Sequence, residues 1–336
     1  MNFDAWKVNG KWAPVYKKLR EEFRLSKFNS NESMISANFI DRNLIIGQEF
    51  FGRWLDKAKK GEAALVSGFA PSGTPHLGTL CVFKQMAYYQ KNYNAKLFIP
   101  IADLEAIYVR HTAFKDVKAN TINLLAHLAA SGISLKKSNI YLQSNNLHTL
   151  EKTFMLANNL SISEFNSMYG RHKNLGHMLS ALLMVSDILF PLNKGYDAVL
   201  VPIGIDEIKH IKLTRKLAKR LGIDTFPSAT YADLIPGLFN SKMSKSVSEN
   251  SIALSENPEI AERRVRLAIS KNTVGLYYAL TRWFSSDNED NLFGTKSEQG
   301  GKIVRKILEK QNENYIAAIK DAQYIARALF SGKKNV

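Results

Sequence analysis

The sequence predicts a doubly wound α/β domain, a parallel sheet covered on both faces, followed by a helical C-terminal part. Four short apolar runs carry the sheet: EAALVSGF (62–69), KLFIPIAD (96–103), SNIYLQS (138–144) and DAVLVPIG (197–204). They are continuous rather than alternating, as strands buried on both faces are. Stretches with helical spacing separate them, as parallel crossovers require. From about residue 256 the strand signals cease and only helical patterns remain.

Taken in order, residues 1–45 form a polar, Trp-containing extension ahead of the sheet domain, which spans 46–255. After the first strand, Leu80, Phe83 and Ala87 share one helix face, and Cys81 reads as a small buried residue of that helix. After the second, VKANTINLLAHLAASG sets Ile122, Leu125 and Leu128 or Ala129 on one face. Residues 256–336 contain NPEIAERRVRLAIS and the long run GGKIVRKILEKQNENYIAAIKDAQYIARALF. Between 301 and 336 stand eight Lys or Arg against three acids, a basic helical tail that reads either as a solvated face or as an RNA-facing one. No repeat or low-complexity segment interrupts the pattern.

With 336 residues, 45% of them hydrophobic, the chain is large enough for a substantial core. Its 46 basic and 30 acidic residues give a net charge of +16. Such a surface attracts polyanions, nucleic acid first among them, although a lysine-rich solvated surface gives the same number. One cysteine excludes an intrachain disulfide and a cysteine-rich zinc site. Neither a signal-type apolar core near the N-terminus nor a run of 18 apolar residues is present, so a soluble, cytoplasmic protein with no membrane partner is expected.

Ligands of such sheets sit beyond the carboxyl ends of the strands, which directs attention to APSGTPHLG, ADLEA, QSNN and GIDEIKH. In the first, glycines at 68, 73 and 78 let the backbone approach a ligand, and a helix starting near Gly78 aims its free N–H groups at an anion. His76 adds an imidazole donor. Farther on, SKMSKS (241–246) carries Lys242 and Lys245 on a serine-rich loop suited to a phosphate chain. Each segment alone also reads as an ordinary turn or a solvated loop.

Together, His76-Leu77-Gly78-Thr79 and Lys242 to Ser246 resemble the HIGH and KMSKS motifs of class I aminoacyl-tRNA synthetases, with 242 − 76 = 166 residues between them. Over about residues 3–275 the chain is similar to the tryptophanyl and tyrosyl group, and more closely to tryptophanyl enzymes of the archaeal and eukaryotic kind. DAWKVNGKW, LIIGQEFFGRWLDKAKKGE, SGFAPSGTPHLG, FIPIADLEAI, LLMVSDILF, VLVPIGIDEIKHIKLTRKLAKRLG and IPGLFNSKMSKS carry the similarity. It implies a Rossmann-like, HUP-type nucleotide-binding domain and a helical anticodon-binding domain at the C-terminus. It also implies tryptophan activation by ATP with Mg2+ carried on the phosphates, acyl transfer to tRNA, and a homodimer.

The resemblance assigns catalytic roles to His76, Lys242 and Lys245, the last toward the α–β phosphate bridge. It assigns Pro71, Ser72, Gly73, Gly78, Thr79, Gly204, Asp206, Ile235, Met243, Ser244 and Ser246 to ATP. Ser67, Gly68, Phe69, Glu105, Met184, Asp187 and Glu207 border the amino acid. Met184 and Asp187, three apart on one helix face, would meet the indole, whose single N–H needs an acceptor in an apolar wall. Arg171 and Lys173 would reach phosphates or remain solvated. Two positions depart from the family: Thr79 replaces its second histidine, and Glu207 its usual glutamine. Asp187 equally suits a phenol, so a tyrosine ligase stays open, although the archaeal tyrosyl pattern has a tyrosine where this chain has Val66. A synthetase-derived RNA-binding protein without catalysis, or a nucleotidyltransferase for a small metabolite, are the remaining readings.

Overall fold

The computed structural model describes residues 12–27, 44–93, 95–170, 174–243, 247–271, 273–285 and 294–331. Most of the N-terminal extension, Arg171, Lys173, Ser244, Lys245, Ser246 and the last five residues lie outside them.

Six strands make one sheet: β1 (Ile45–Glu49), β2 (Ala63–Val66), β3 (Lys96–Ile101), β4 (Ser138–Leu142), β5 (Ala198–Gly204) and β6 (Ser228–Ala232), in the order β1-β6-β5-β2-β3-β4. β6 through β4 are parallel; β1 runs antiparallel on β6. All four predicted strands are present, and β2 and β5 are buried almost throughout. β4 is half-buried because it forms an edge. The order reverses between β2 and β5, which opens a crevice at their carboxyl ends.

The helices are α1 (Trp12–Phe23), α2 (Phe51–Ala58), α3 (Leu77–Tyr93), α4 (Phe114–Ala130), α5 (Leu147–Ala157), α6 (Ile162–Tyr169), α7 (Leu175–Leu189), α8 (Ile208–Arg220), α9 (Pro258–Ser270), α10 (Val274–Phe284) and α11 (Lys296–Phe330). On α3, Leu80 and Phe83 are buried, Ala87 packs at the margin, and the Cys81 thiol is enclosed against the Leu77 carbonyl. α4 buries Leu125 and Leu128 as its spacing predicts, but also Thr121, Leu124 and His127. Its outer side is covered by α11: Gln311 Nε2 donates to the His127 carbonyl at 3.1 Å, and Asn314 Nδ2 to that of Ala130 at 3.0 Å. Enclosed between the sheet and α11, the C-terminal half of α4 has no polar face to display, whereas Lys115, Asp116 and Lys118 near its start are exposed.

α11 is one continuous 35-residue helix opened by a Thr295–Glu298 capping box. Segment Leu175–Lys194 is apolar enough to cross a membrane by length and composition, yet most of it is buried inside the protein. Its apolarity serves the core between α5, α8 and the sheet.

Candidate active site

The β2–α3 turn is hydrogen-bonded to the stretch of chain that follows the lysine loop. The chain descending from the lysine loop passes beside the turn, so Leu77 N–H donates to the Ile252 carbonyl at 3.1 Å and Leu254 N–H to that of Pro75 at 2.8 Å. His76 pairs with Ala253 as an isolated antiparallel bridge. α3 then starts, with Thr79 and Leu80 N–H both donating to the His76 carbonyl. A Cβ at Gly78 would stand 3.2 Å from two atoms of the His76 ring, so glycine there leaves the imidazole its place.

One side chain shapes the base of the lysine loop. Asn250, buried, donates through Nδ2 to Ser241 Oγ and the Lys242 carbonyl, both at 2.9 Å, and accepts from Phe239 N–H through Oδ1 at 2.7 Å. Arg264 on α9 holds the far limb, donating to the carbonyls of Glu249 at 2.7 Å and Ser251 at 3.2 Å. Met243 is buried, and Lys242 points inward to an ion pair with Asp206. Burial opposes the Lys242 charge, but the Asp206 and Glu207 carboxylates outweigh it and hold its pKa above the ordinary lysine value.

These groups share one cavity of about 500 Å³ at the carboxyl ends of the strands. His76, Gly78, Thr79, Ile235, Lys242 and Met243 line it. Ser67, Gly68, Phe69, Glu105, Met184 and Asp187 also line it, as do Gly204, Asp206 and Glu207. The sequence-predicted residues within the described part of the chain therefore converge, three excepted, while Ser244, Lys245 and Ser246 lie outside that part. Pro71, Ser72 and Gly73 are not among the lining residues, because that part of the turn packs outward against α4, where Asn120 Nδ2 donates to the Pro71 carbonyl at 3.1 Å.

Asp187 is 2% exposed and, among the described residues, paired with no cation. Tyr141 Oη donates to one carboxylate oxygen at 2.9 Å and Gln143 Nε2 to the other at 2.7 Å. Burial pushes its pKa up to about 7, with the two hydrogen bonds only partly opposing. Gln143 is itself buried, lines the cavity, and has no partner for its Oε1 among the described residues. Neither partner was apparent from sequence, although Gln143 opens QSNN, one of the strand-end loops where ligand contacts are expected. Val66 lines the same cavity.

Glu105 begins a π-helical turn, Glu105–Val109, and its carboxylate is paired with Arg110 at 2.5 Å. Glu207 sits 3.1 Å from His210 Nε2, and His210 Nδ1 lies 3.0 Å from Tyr169 Oη. Burial alone would raise the Glu207 pKa; the hydrogen bond and the charge of His210, and then the charges of Lys242 and Arg110, bring it down to about 2. Two cavity carboxylates thus differ sharply, one near neutrality and one fully ionised. The arrangement suits a ligand with an anionic chain toward Lys242 and His76, and an apolar group bearing one N–H toward Asp187.

Comparison with known proteins shows the family. The family model of class I tRNA synthetases (W and Y) matches residues 58–331. A tryptophan–tRNA ligase of Methanocaldococcus jannaschii is 34% identical over 263 residues, covering 74% of this chain and 71% of its own length. That of Methanopyrus kandleri is 31% identical over 272 residues, covering 78% and 72%. The crystal structure of tryptophanyl-tRNA synthetase from Aeropyrum pernix K1 superposes with a TM-score of 0.79 at 26% identity, covering 97% of this chain and 98% of that one. By family match over most of its length, by sequence relatives and by fold, the chain belongs to the class I tRNA synthetases of the W and Y group.

Proposed function

We propose that this protein is a tryptophan–tRNA ligase, joining L-tryptophan to ATP as the adenylate and then transferring the acyl group to tRNA(Trp). The observation that carries this reading is the shared cavity, lined both by His76 and Lys242 and by the buried Asp187 with Met184. Attack of the tryptophan carboxylate on the α-phosphorus places negative charge on the phosphoryl oxygens and the departing pyrophosphate. Lys242 and His76 are positioned to meet that charge, with Lys245 expected to join them from the same loop. Asp187 accepts the indole N–H. Mg2+ enters on the ATP phosphates, as octahedral Mg2+ commonly does.

tRNA is expected to meet the exposed basic face of α11, where Lys302, Lys306, Lys310, Lys320 and Arg327 stand with exposed Ile316 and Tyr324. A homodimer fits the exposed apolar side chains of α5 to α7, among them Leu147, Phe154, Met155, Ile162 and Leu175. A cytoplasmic location accords with the role in translation.

ATP–pyrophosphate exchange scanned across the twenty amino acids tests the reading. Tryptophan alone should drive exchange at low concentration. Exchange with tyrosine and not tryptophan would reassign the enzyme, and tRNA binding with no exchange at all would favour a non-catalytic RNA-binding protein.

The loop base gives a second expectation. A Cβ on Gly237 would stand 2.3 Å from the Asn250 carbonyl oxygen and 2.4 Å from its Nδ2. Backbone cannot yield that far, so Gly237→Ala should displace Asn250 and with it the segment carrying Lys242. Overpacking of this kind costs about 1–3 kcal/mol in stability. Exchange should fall roughly tenfold or more, a 1 Å misplacement being enough to do so. Denaturant titration and exchange rates measure the two separately.

A further inference from the structure

Three side chains from three elements form a hydrogen-bonded chain that ends in the cavity: Tyr169 at the end of α6, His210 on α8, and Glu207 on the turn after β5. For a neutral His210 ring their order selects one tautomer. If His210 Nδ1 carried the proton, the Nε2 lone pair would face the Glu207 carboxylate across 3.1 Å. With Tyr169 Oη donating to Nδ1, Nε2–H donates to Glu207 and every group is satisfied. Tyr169 is itself held from both sides, stacked on Phe165 at 4.7 Å and tilted against the His210 ring at 5.2 Å.

The chain leaves an unusual charge balance. Glu105 is paired with Arg110 and Asp206 with Lys242, whereas the side-chain partner of Glu207 among the described residues is the His210 ring. The cations nearest to Glu207, Lys242 and Arg110, already have those partners. Its side chain remains 43% exposed. A carboxylate here repels a triphosphate and repels the amino acid's own carboxylate. The one cationic group on the two small substrates is the α-ammonium.

Resting on the functional reading above, we propose that Tyr169 and His210 are positioning residues that hold Glu207 as the acceptor for the substrate α-ammonium, giving the amino-acid subsite its selectivity for a protonated amine. They touch no reacting atom; they fix where the negative charge points. Their loss therefore acts on binding of the amine rather than on the chemical step.

The test is pyrophosphate exchange with tryptophan, together with competition by tryptamine, which keeps the ammonium, and indole-3-propionate, which lacks it. His210→Ala should raise the tryptophan KM and tryptamine Ki roughly tenfold, as loss of a charge-assisted hydrogen bond does. kcat should change by less than about threefold, and the indole-3-propionate Ki should not rise. Tyr169→Phe, which removes only the hydroxyl, should act in the same direction with smaller amplitude. His210→Gln, which keeps an N–H donor, should recover part of the loss. Equal weakening of both inhibitors, or no change in either, overturns the proposal. If wild-type exchange responds to another amino acid instead, the functional reading fails, and the same variants assayed with that amino acid's decarboxylated amine still decide the positioning role.

Discussion

Lys242→Ala should slow ATP–pyrophosphate exchange by roughly 10²–10³-fold at saturating substrates, the scale of losing one preorganised donor to a developing anion. The tryptophan KM should hardly move. The asymmetry follows from the resting partner of Lys242: in the structure its ammonium is paired with Asp206, and side chains of both are mostly buried. When ATP enters, the lysine exchanges a carboxylate for phosphate oxygens, so little is gained in the ground state. As the α-phosphorus is attacked, charge accumulates on the phosphoryl oxygens and on pyrophosphate while the Asp206 charge stays constant. Only the transition state therefore gains from the cation, and such a gain raises kcat rather than lowering KM. Steady-state exchange in both substrates checks this. Equal losses in kcat and in tryptophan affinity would make the lysine a general docking contact.

Strands β2, β3 and β5 were legible because each is a continuous apolar run, β4 because SNIYLQS keeps an apolar centre, and the motif residues because their types suit phosphates at strand-end loops. β6, SATYA, was not, since its small and polar residues lack the aliphatic signature even though all five are buried. β1 was hidden inside LIIGQEFF, whose pattern fits an extension as well as an edge strand. Asn250 and Tyr169 were invisible for a different reason. Their roles arise from partners 8–11 and 41 residues away, and neither periodicity nor spacing reports such pairings. Asp187 stands between the two cases. A carboxylate among Met184, Val185, Ile188 and Leu189 announces itself as costly, but sequence does not reveal that its two partners are neutral donors.

That neutrality leads to a second large effect, in which the pH trends of stability and binding should oppose each other. The Asp187 pKa is about 7, against an ordinary 3.8, so between those values the folded state holds a proton that the unfolded state has released. Stability should then fall as pH rises through about 4 to 7, because the native state binds more protons there. Binding runs the other way. An indole N–H donates more strongly to a carboxylate than to a carboxylic acid, so tryptophan affinity should rise as pH passes upward through about 7. Asp187→Asn removes the charge and keeps the shape, and its amide must set an N–H against either Tyr141 or Gln143, both of which donate to the aspartate. kcat/KM for tryptophan should drop roughly 10–10²-fold, matching the 1.5–3 kcal/mol of a charged hydrogen bond. Its pH profile should lose the inflection near 7, and the contribution of this site to the pH dependence of unfolding should vanish with it. Unfolding titrations and exchange kinetics from pH 5 to 8 measure both. An Asn variant that keeps the wild-type inflection would show that Asp187 does not hold the indole, because no other change at that position alters the charge while sparing the cavity's shape.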